Sequence, residues 1–217
     1  IFTSVPTFSA DRPLIDLNPA ALANGGLAAW TNSGSMGGSF TPTPETAATV
    51  ESVSGAKAVT FGGTNFYNGP VQPAFLGGNA SRTVDAWILN PVVGTEESII
   101  AWGRRGGNPD GSNASYVHGT DPTFGAIGQW GAPDVGWGTG TPIAGQWTHV
   151  AYVYDGPTLT ATVYRDGVAA NTEIMPGELA IHSVDTSGAP LVFKLGSQNN
   201  ADGSRGGQFA SLSMGRV

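Results

Sequence analysis

The 217-residue chain contains no cysteine, which excludes disulfides, thiolate metal ligands and a cysteine nucleophile. Charged residues are also scarce, at 12% of the chain, and 9 basic against 16 acidic residues give a net charge of −7. A nucleic-acid partner is not expected, because phosphate binding depends on a basic face. No apolar run approaches the ~20 residues that cross a bilayer, so no membrane insertion is expected either.

Glycine (33 residues) and proline (15 residues) are abundant, which is typical of short strands joined by turns. One helix of at most two turns is predicted from Asn18 to Ala23, where a capping residue precedes a proline and Gly25 follows as a stop. Elsewhere apolar residues alternate with a period of two. Strands are therefore predicted at 57–61, 82–89, 97–102, 115–118, 124–130, 147–154, 158–165, 191–196 and 210–217.

These strands predict an all-β fold with very little helix, in which two antiparallel sheets form a sandwich. The Asp-Gly-Pro sequence at 155–157 predicts a hairpin between two of the strands. The strand RTVDAWIL (82–89) is apolar on both faces, so we expect it to be covered on both sides, with Trp87 and Trp147 in the core. No linker composition interrupts the chain, and a single domain over residues 1–217 is predicted.

Six motifs in a fixed order point to a known family. They are RTVDAWILNP (82–91), SIIAWGRRGG (98–107), GQWTHVAYVYDG (145–156), ATVYRDGV (161–168), KLGSQNNADG (194–203) and FASLSMGRV (209–217). This order resembles the bacterial laminin-G-like members of the concanavalin A-like lectin/glucanase superfamily. The resemblance implies a jelly-roll sandwich and a structural role for His149, and it leaves function open because fold does not imply function.

Catalysis is not expected from this chain. Glycan-cleaving relatives in the superfamily have carboxylates alternating along one strand, and no such alternation occurs here. The adjacent pair Glu96 and Glu97 would point to opposite faces, and we interpret it as the solvated start of a strand rather than as a catalytic pair. Nucleophile-elbow, zinc-helix and P-loop motifs are missing as well.

Two loops share the pattern Asn-x-Asp-Gly-Ser and could bind a structural calcium ion, although the domain is not expected to require a cofactor. Alternating side-chain oxygens around a glycine are suitable ligands for calcium, and the same sequence also forms ordinary tight turns. The candidate ligands are Asn108, Asp110, Asn200 and Asp202.

The segment 99–138 collects aromatic, planar polar and glycine residues that could form a sugar-binding surface. Flat aromatic rings stack on pyranose C–H faces, and guanidinium or amide groups bind pairs of hydroxyls. Arginine also suits the carboxylate or sulfate of an anionic glycan. The alternative is that the tryptophans fill the sandwich and one arginine makes an internal ion pair. The candidate residues are Trp102, Arg104, Arg105, Tyr116, His118, Gln129, Trp130, Asp134 and Trp137.

We therefore expect a non-catalytic carbohydrate-binding module of a larger secreted or cell-surface bacterial protein, with flanking domains beyond this chain. Its partner would be a polysaccharide or glycan, neutral or anionic. One alternative is a structural or protein-interaction domain that uses the same sandwich for adhesion. Another is an accessory domain of a glycan hydrolase or lyase whose catalytic part lies outside this chain.

Overall fold

A computed structural model describes residues 12–42, 47–106, 112–130, 133–138, 141–207 and 209–217. Within these ranges the chain forms strands and a single turn of 3₁₀ helix at Ala74–Leu76. The strands are β1 (Gly25–Gly26), β2 (Trp30–Thr31), β3 (Ser39–Pro42), β4 (Thr49–Val53), β5 (Ala56–Thr60), β6 (Tyr67–Val71), β7 (Arg82–Leu89), β8 (Ser98–Gly103), β9 (Asn113–Val117), β10 (Ile127–Gly128), β11 (Trp147–Asp155), β12 (Thr160–Arg165), β13 (Val168–Ile174), β14 (Val192–Leu195) and β15 (Ser213–Met214).

The strands form two antiparallel sheets, which confirms the predicted all-β sandwich. The larger sheet has the order β1-β4-β5-β15-β7-β11-β12-β13, and the smaller has the order β10-β9-β8-β14-β6-β3-β2. The predicted hairpin is β11 and β12, which pair from Val150 with Arg165 to Asp155 with Thr160. Along β11 buried and half-buried residues alternate, as expected for a strand with one face on the core.

The core lies between the sheets and is built from the inward-facing residues of both. Ala86 and Ile88 of β7 are fully buried, and Ile100 and Trp102 of β8 face them from the smaller sheet's side of the core. Burial of such apolar surface stabilises the fold by roughly 25 cal/mol per Å² removed from water. No helix among the described residues is long and apolar enough to cross a membrane.

The helix predicted from Asn18 to Ala23 is wrong, because this segment forms only a turn. The Asn18 side chain accepts a hydrogen bond from the Ala20 amide at 3.0 Å, as a capping residue would. A single backbone bond follows, from the Leu22 amide to the Pro19 carbonyl at 2.9 Å. Without a longer apolar face to bury, one turn of helix does not propagate.

The prediction that Trp87 and Trp147 are core residues is also corrected. Trp87 lies on the outer face of the larger sheet with 48% of its surface exposed, while its neighbours Ala86 and Ile88 face the core. Trp147 is half-buried on the same outer face and donates from Nε1 to the Val53 carbonyl at 3.0 Å. Strand β7 is therefore covered on one side only around Trp87, although its sequence is apolar on both.

Candidate functional site

A groove with a volume of about 430 Å³ lies on the outer face of the larger sheet beside Trp87. Its floor is Gly215, whose amide donates to the Trp87 carbonyl at 2.7 Å. A Cβ at Gly215 would lie 3.0 Å from the Trp87 Cβ and 3.5 Å from Cζ3 of Trp147, so the missing side chain creates the concavity. The residues around the groove are Asn18, Pro19, Ala20, Ala56, Lys57, Trp87, Trp147, Gly215 and Arg216.

The Trp87 indole is held from the side opposite Gly215. His149 is its cross-strand partner on β11, and the two rings lie 5.2 Å apart between centroids at an angle of 44°. His149 Nε2 in turn lies 3.9 Å from Asp85 Oδ1. The indole is thus oriented by packing and still half exposed, which suits a stacking surface.

Charged groups at the rim of this groove are fixed by pairing. Arg216 binds Asp16 through two bonds, Nε to Oδ1 at 2.8 Å and Nη2 to Oδ2 at 2.9 Å. The hydrogen bond from Arg216 lowers the pKa of Asp16, and Asp16 raises the pKa of Arg216. Lys57 Nζ donates to the Asn24 side-chain oxygen. Arg216 and Lys57 thus place a guanidinium and an ammonium group, each with a partner, among the residues that line the groove.

A second group of functional side chains gathers at the β10 edge of the smaller sheet, and we name it the edge cluster: Glu96, Arg105, Trp130, Asp134 and Gln198. The Arg105 guanidinium carbon lies 3.7 Å from the centre of the Trp130 ring. Asp134 Oδ1 accepts a bond from the Gln129 amide at 2.5 Å and holds the turn that presents Trp130. Gln198 Nε2 donates to Glu96 Oε1 at 3.0 Å.

Burial shifts the protonation equilibria of this cluster. It raises the pKa of Glu96 to about 7, against the opposing effects of the Gln198 hydrogen bond and the Arg105 charge. Burial also raises the pKa of Asp134 and lowers that of Arg105. Glu96 is therefore a half-buried acid rather than the solvated strand start expected from the sequence.

Five of the nine predicted sugar-binding residues are core residues, so their expected position at a surface is corrected. They are Trp102, Tyr116, His118, Gln129 and Trp137. Trp102 and Tyr116 lie on β8 and β9, in which every position is buried, and the other three residues follow β9 and β10 in the chain.

Contacts within the core occupy these side chains. Trp102 packs on Tyr116 at 5.2 Å between ring centroids, and the Tyr116 hydroxyl accepts a bond from Arg82 Nε at 2.8 Å. Trp137 Nε1 donates to the Gly125 carbonyl at 2.7 Å. Burial lowers the pKa of His118 to about 4, so this imidazole stays neutral near neutral pH.

A sequence profile of the laminin-G-like family, described as part of the concanavalin A-like lectin/glucanases superfamily, matches residues 55–213. The chain belongs to this family. The profile covers the strands from β5 to β14, and with them five of the six motifs in full and the first five residues, 209–213, of the last. No curated protein sequence matches this laminin-G-like domain significantly.

Solved structures share the fold of this laminin-G-like domain at low sequence identity. Domain 4 of AbnA, an extracellular arabinanase from Geobacillus stearothermophilus in complex with arabinotriose, superposes with a TM-score of 0.52 and 18% identity, over 85% of this chain and 87% of that domain. A sialidase from Trypanosoma rangeli superposes with a TM-score of 0.48 and 17% identity, over 94% of this chain and 30% of the sialidase.

The calcium prediction falls partly outside the described residues, where Asn108 and Asp110 lie. In the second loop, Asp202 Oδ1 accepts bonds from the amide of Ser204 at 3.0 Å and from its hydroxyl at 2.6 Å. Asn200 donates to the Arg205 carbonyl at 2.7 Å. Across the described ranges, no three acidic or histidine side chains of this laminin-G-like domain come together as metal ligands would.

Sequence reasoning missed the groove, because it assigned Trp87 and Trp147 to the core. The signal was present in the alternation of RTVDAWIL, which sets Trp87 opposite the inward Ala86 and Ile88. What the sequence did not indicate is that Gly215, which has no side chain, lies beside Trp87 directly after the neighbouring strand β15.

Proposed function

We propose that this domain is a non-catalytic carbohydrate-binding module and that the groove beside Trp87 binds the sugar. The observation that carries the proposal is a half-exposed indole, oriented by His149, that borders a groove with charged groups at its rim. Ligand sites are concave and largely apolar, with a few fixed polar groups. The arabinotriose complex of the AbnA domain is consistent with this use of the fold.

The groove matches the two faces of a sugar ring. The C–H face of a pyranose or furanose ring stacks on the Trp87 indole, while its hydroxyls point outward to the rim. Arg216 is locked in place by Asp16, so little side-chain entropy is lost when it donates to a hydroxyl. Lys57 adds a cation that would favour an acidic sugar, which keeps the anionic glycan among the candidate partners.

We further propose that the domain is a module of a larger secreted or cell-surface bacterial protein. A non-catalytic role is supported by the carboxylates nearest the groove, because Asp16 is bound to Arg216 and Asp85 lies against His149. The alternative role, as a structural or protein-interaction domain, would gain if all of Trp102, Trp130 and Trp137 were buried. Trp130 is 42% exposed, so this condition is not met.

Affinity electrophoresis in gels containing arabinan, xylan or polygalacturonate tests the proposal. We expect at least one polysaccharide to retard the domain. We expect Trp87→Ala to raise the dissociation constant at least about tenfold, since a central aromatic contact is worth about 1.4 kcal/mol or more.

The matched control is Phe75→Ala, which removes an aromatic ring of similar exposure that does not line the groove. It should leave retardation unchanged. An absence of retardation in every gel, or equal retardation of the wild type and the Trp87→Ala variant, would count against the groove and favour the interaction-domain alternative.

A further inference from the structure

The side chain of Trp130 is exposed to solvent, and its backbone adopts a strained conformation. Its φ angle is +35°, in a region that residues other than glycine rarely adopt, and 42% of its surface faces solvent. Such conformations cost about 1–3 kcal/mol and are found most often at ligand sites. Asp134 holds the strained turn by accepting from the backbone amides of Gln129 and Trp130.

Arg105 prepares this indole for stacking. Its guanidinium lies over the ring, 3.7 Å from the centroid, and its own backbone amide donates to the Asn199 carbonyl at 2.9 Å. One face of the indole is thus covered by a cation and the exposed remainder is open to a ligand. A cation held on a tryptophan face is attracted by about 0.5–2 kcal/mol, which reduces the motion of both groups.

Two polar side chains at this edge of the sheet lie close to Gly128 on β10. Ser115 pairs with Gly128 across β9 and β10, and a Cβ at Gly128 would lie 3.1 Å from Glu96 Oε1, so these groups share one face. The Ser115 hydroxyl is fully buried and has no hydrogen-bond partner among the described residues.

From this arrangement we infer that the domain has a second, independent sugar-binding site at the edge cluster, where a ring stacks on Trp130 and its hydroxyls reach Arg105 and Glu96, while the buried Gln198 holds the Glu96 carboxyl in place. The inference rests on the proposed function, because it assigns the same ligand class to another surface. The two sites share no residue and belong to different sheets, so a single sugar ring cannot occupy both. The module is therefore bivalent and would cross-link polysaccharide chains or hold one chain at two points.

Because the domain would have two sites, the effect of each substitution on retardation depends on whether the other site is intact. On a polysaccharide, binding at one site raises the effective concentration of sugar at the other, so the loss of either site weakens retention and the loss of both abolishes it. The decisive comparison is between the Trp87→Ala variant and the double variant Trp87→Ala, Trp130→Ala in the arabinan, xylan and polygalacturonate gels. We expect the single variant to keep measurable retardation and the double variant to show none.

Arg104 and Arg105 provide the matched control. Arg104 Nε donates to the Val184 carbonyl at 3.2 Å and anchors the loop, whereas Arg105 supports the indole. In the Trp87→Ala background, Arg105→Ala should therefore lower the residual retardation at least about threefold, and Arg104→Ala should not. Arg105→Ala also keeps the test decisive if Trp130→Ala fails to fold, which near-UV circular dichroism would reveal.

The outcomes separate the two claims. If no gel retards the wild type, the proposed function fails and the second site fails with it. If the wild type is retarded but Trp87→Ala and the double variant both migrate as they do in gels without polysaccharide, the groove stands and the second site is overturned. Residual retardation that Arg105→Ala leaves unchanged would also overturn the edge cluster as its source.

Discussion

Glu96 and Glu97 are sequence neighbours with opposite environments. Glu97 is buried and accepts bonds from the Gly94 amide at 3.2 Å and the Ser211 amide at 2.9 Å, so its carboxylate ties the start of β8 to the segment before β15. Glu96 faces the edge cluster, where its main polar partner is Gln198. The sequence indicates that the two side chains point in opposite directions, but it does not indicate that both are removed from bulk water.

The raised pKa of Glu96 predicts a pH-dependent contribution to stability. Burial moves this pKa from its ordinary value of 4.5 to about 7. Between these values the unfolded chain releases the proton while the folded chain keeps it, so this carboxyl lowers the free energy of unfolding as the pH rises from 4.5 to 7. Below 4.5 and above 7 its contribution is constant.

Glu96→Gln removes this titration. Relative to the wild type, the variant should gain stability steadily as the pH is raised from about 4.5 to 7, and the gain should then level off. Urea unfolding of both proteins at half-unit pH steps measures the difference, and Glu178→Gln at an exposed position is the control. A difference that is flat with pH, or that grows as the pH falls, would contradict the burial of Glu96.

Arg104 and Arg105 show how far single residues can be interpreted from the sequence alone. Their adjacency at the exit of a strand indicates that they point in different directions, and the structure gives them different contacts, a carbonyl and an indole. Trp102, two residues earlier, looks equally suited to a ligand, but it packs on Phe193 in the core. The alternation of residues indicates on which face of a strand each side chain lies, whereas the burial of that side chain depends on whether the other sheet covers that face.

At the scale of elements, the long strands β7 and β11 match their predicted bounds to within one residue, whereas β1 to β4, β6 and β13 were not predicted and the two-residue strands β10 and β15 lie inside longer predicted strands. β7 and β11 are eight and nine residues long, enough for the alternation of apolar residues to be recognised. β1 and β2 contain two residues each, and no periodicity exists over two positions. β13 was missed for another reason, since its exposed edge position places Val168 and Ile174 in solvent and blurs the pattern.

The turn that ends β8 requires glycine at position 103, because any other residue there would strain the backbone and clash with its neighbours. Gly103 has a φ of +71°, and a Cβ there would lie 2.9 Å from both the Asn113 Cα and the Ile181 Cγ2. Gly103→Ala should therefore destabilise the domain by backbone strain plus a steric clash, about 2–4 kcal/mol in total.

Gly55→Ala is the matched control, because Gly55 has a φ of +83° with no atom near its hypothetical Cβ. This variant should lose only about 1 kcal/mol, the strain term alone. Thermal or urea unfolding of the two variants measures the difference. Equal losses would show that the space around Gly103 relaxes and that the close approach of β8 to β9 is not rigid.

At the scale of the whole molecule, the two ends of the described chain close the sandwich together. The Leu17 amide donates to the Val217 carbonyl at 2.8 Å, and the Val217 amide donates to the Leu17 carbonyl at 3.0 Å. The Asp16–Arg216 pair continues this contact at the groove. Leu17, Trp30 and Phe40 are all core residues, although they precede the region matched by the family profile.

This closure predicts that the segment matched by the family is not a folding unit by itself. A fragment of residues 55–217 would lack β1 to β4 and would expose the core surfaces that Trp30 and Phe40 cover. Because the free energy of unfolding of a domain is only about 5–15 kcal/mol, we expect the loss of these contacts to unfold the fragment. We expect the fragment to lose near-UV circular dichroism and cooperative unfolding, whereas the full 217-residue chain should keep both. A cooperative 55–217 fragment would show instead that the N-terminal strands form an appendage, and the prediction of one domain from residue 1 would then be wrong.

Because Asn18, Pro19 and Ala20 border the groove, the same fragment also separates folding from binding: if it folds, it should still fail to bind through Trp87.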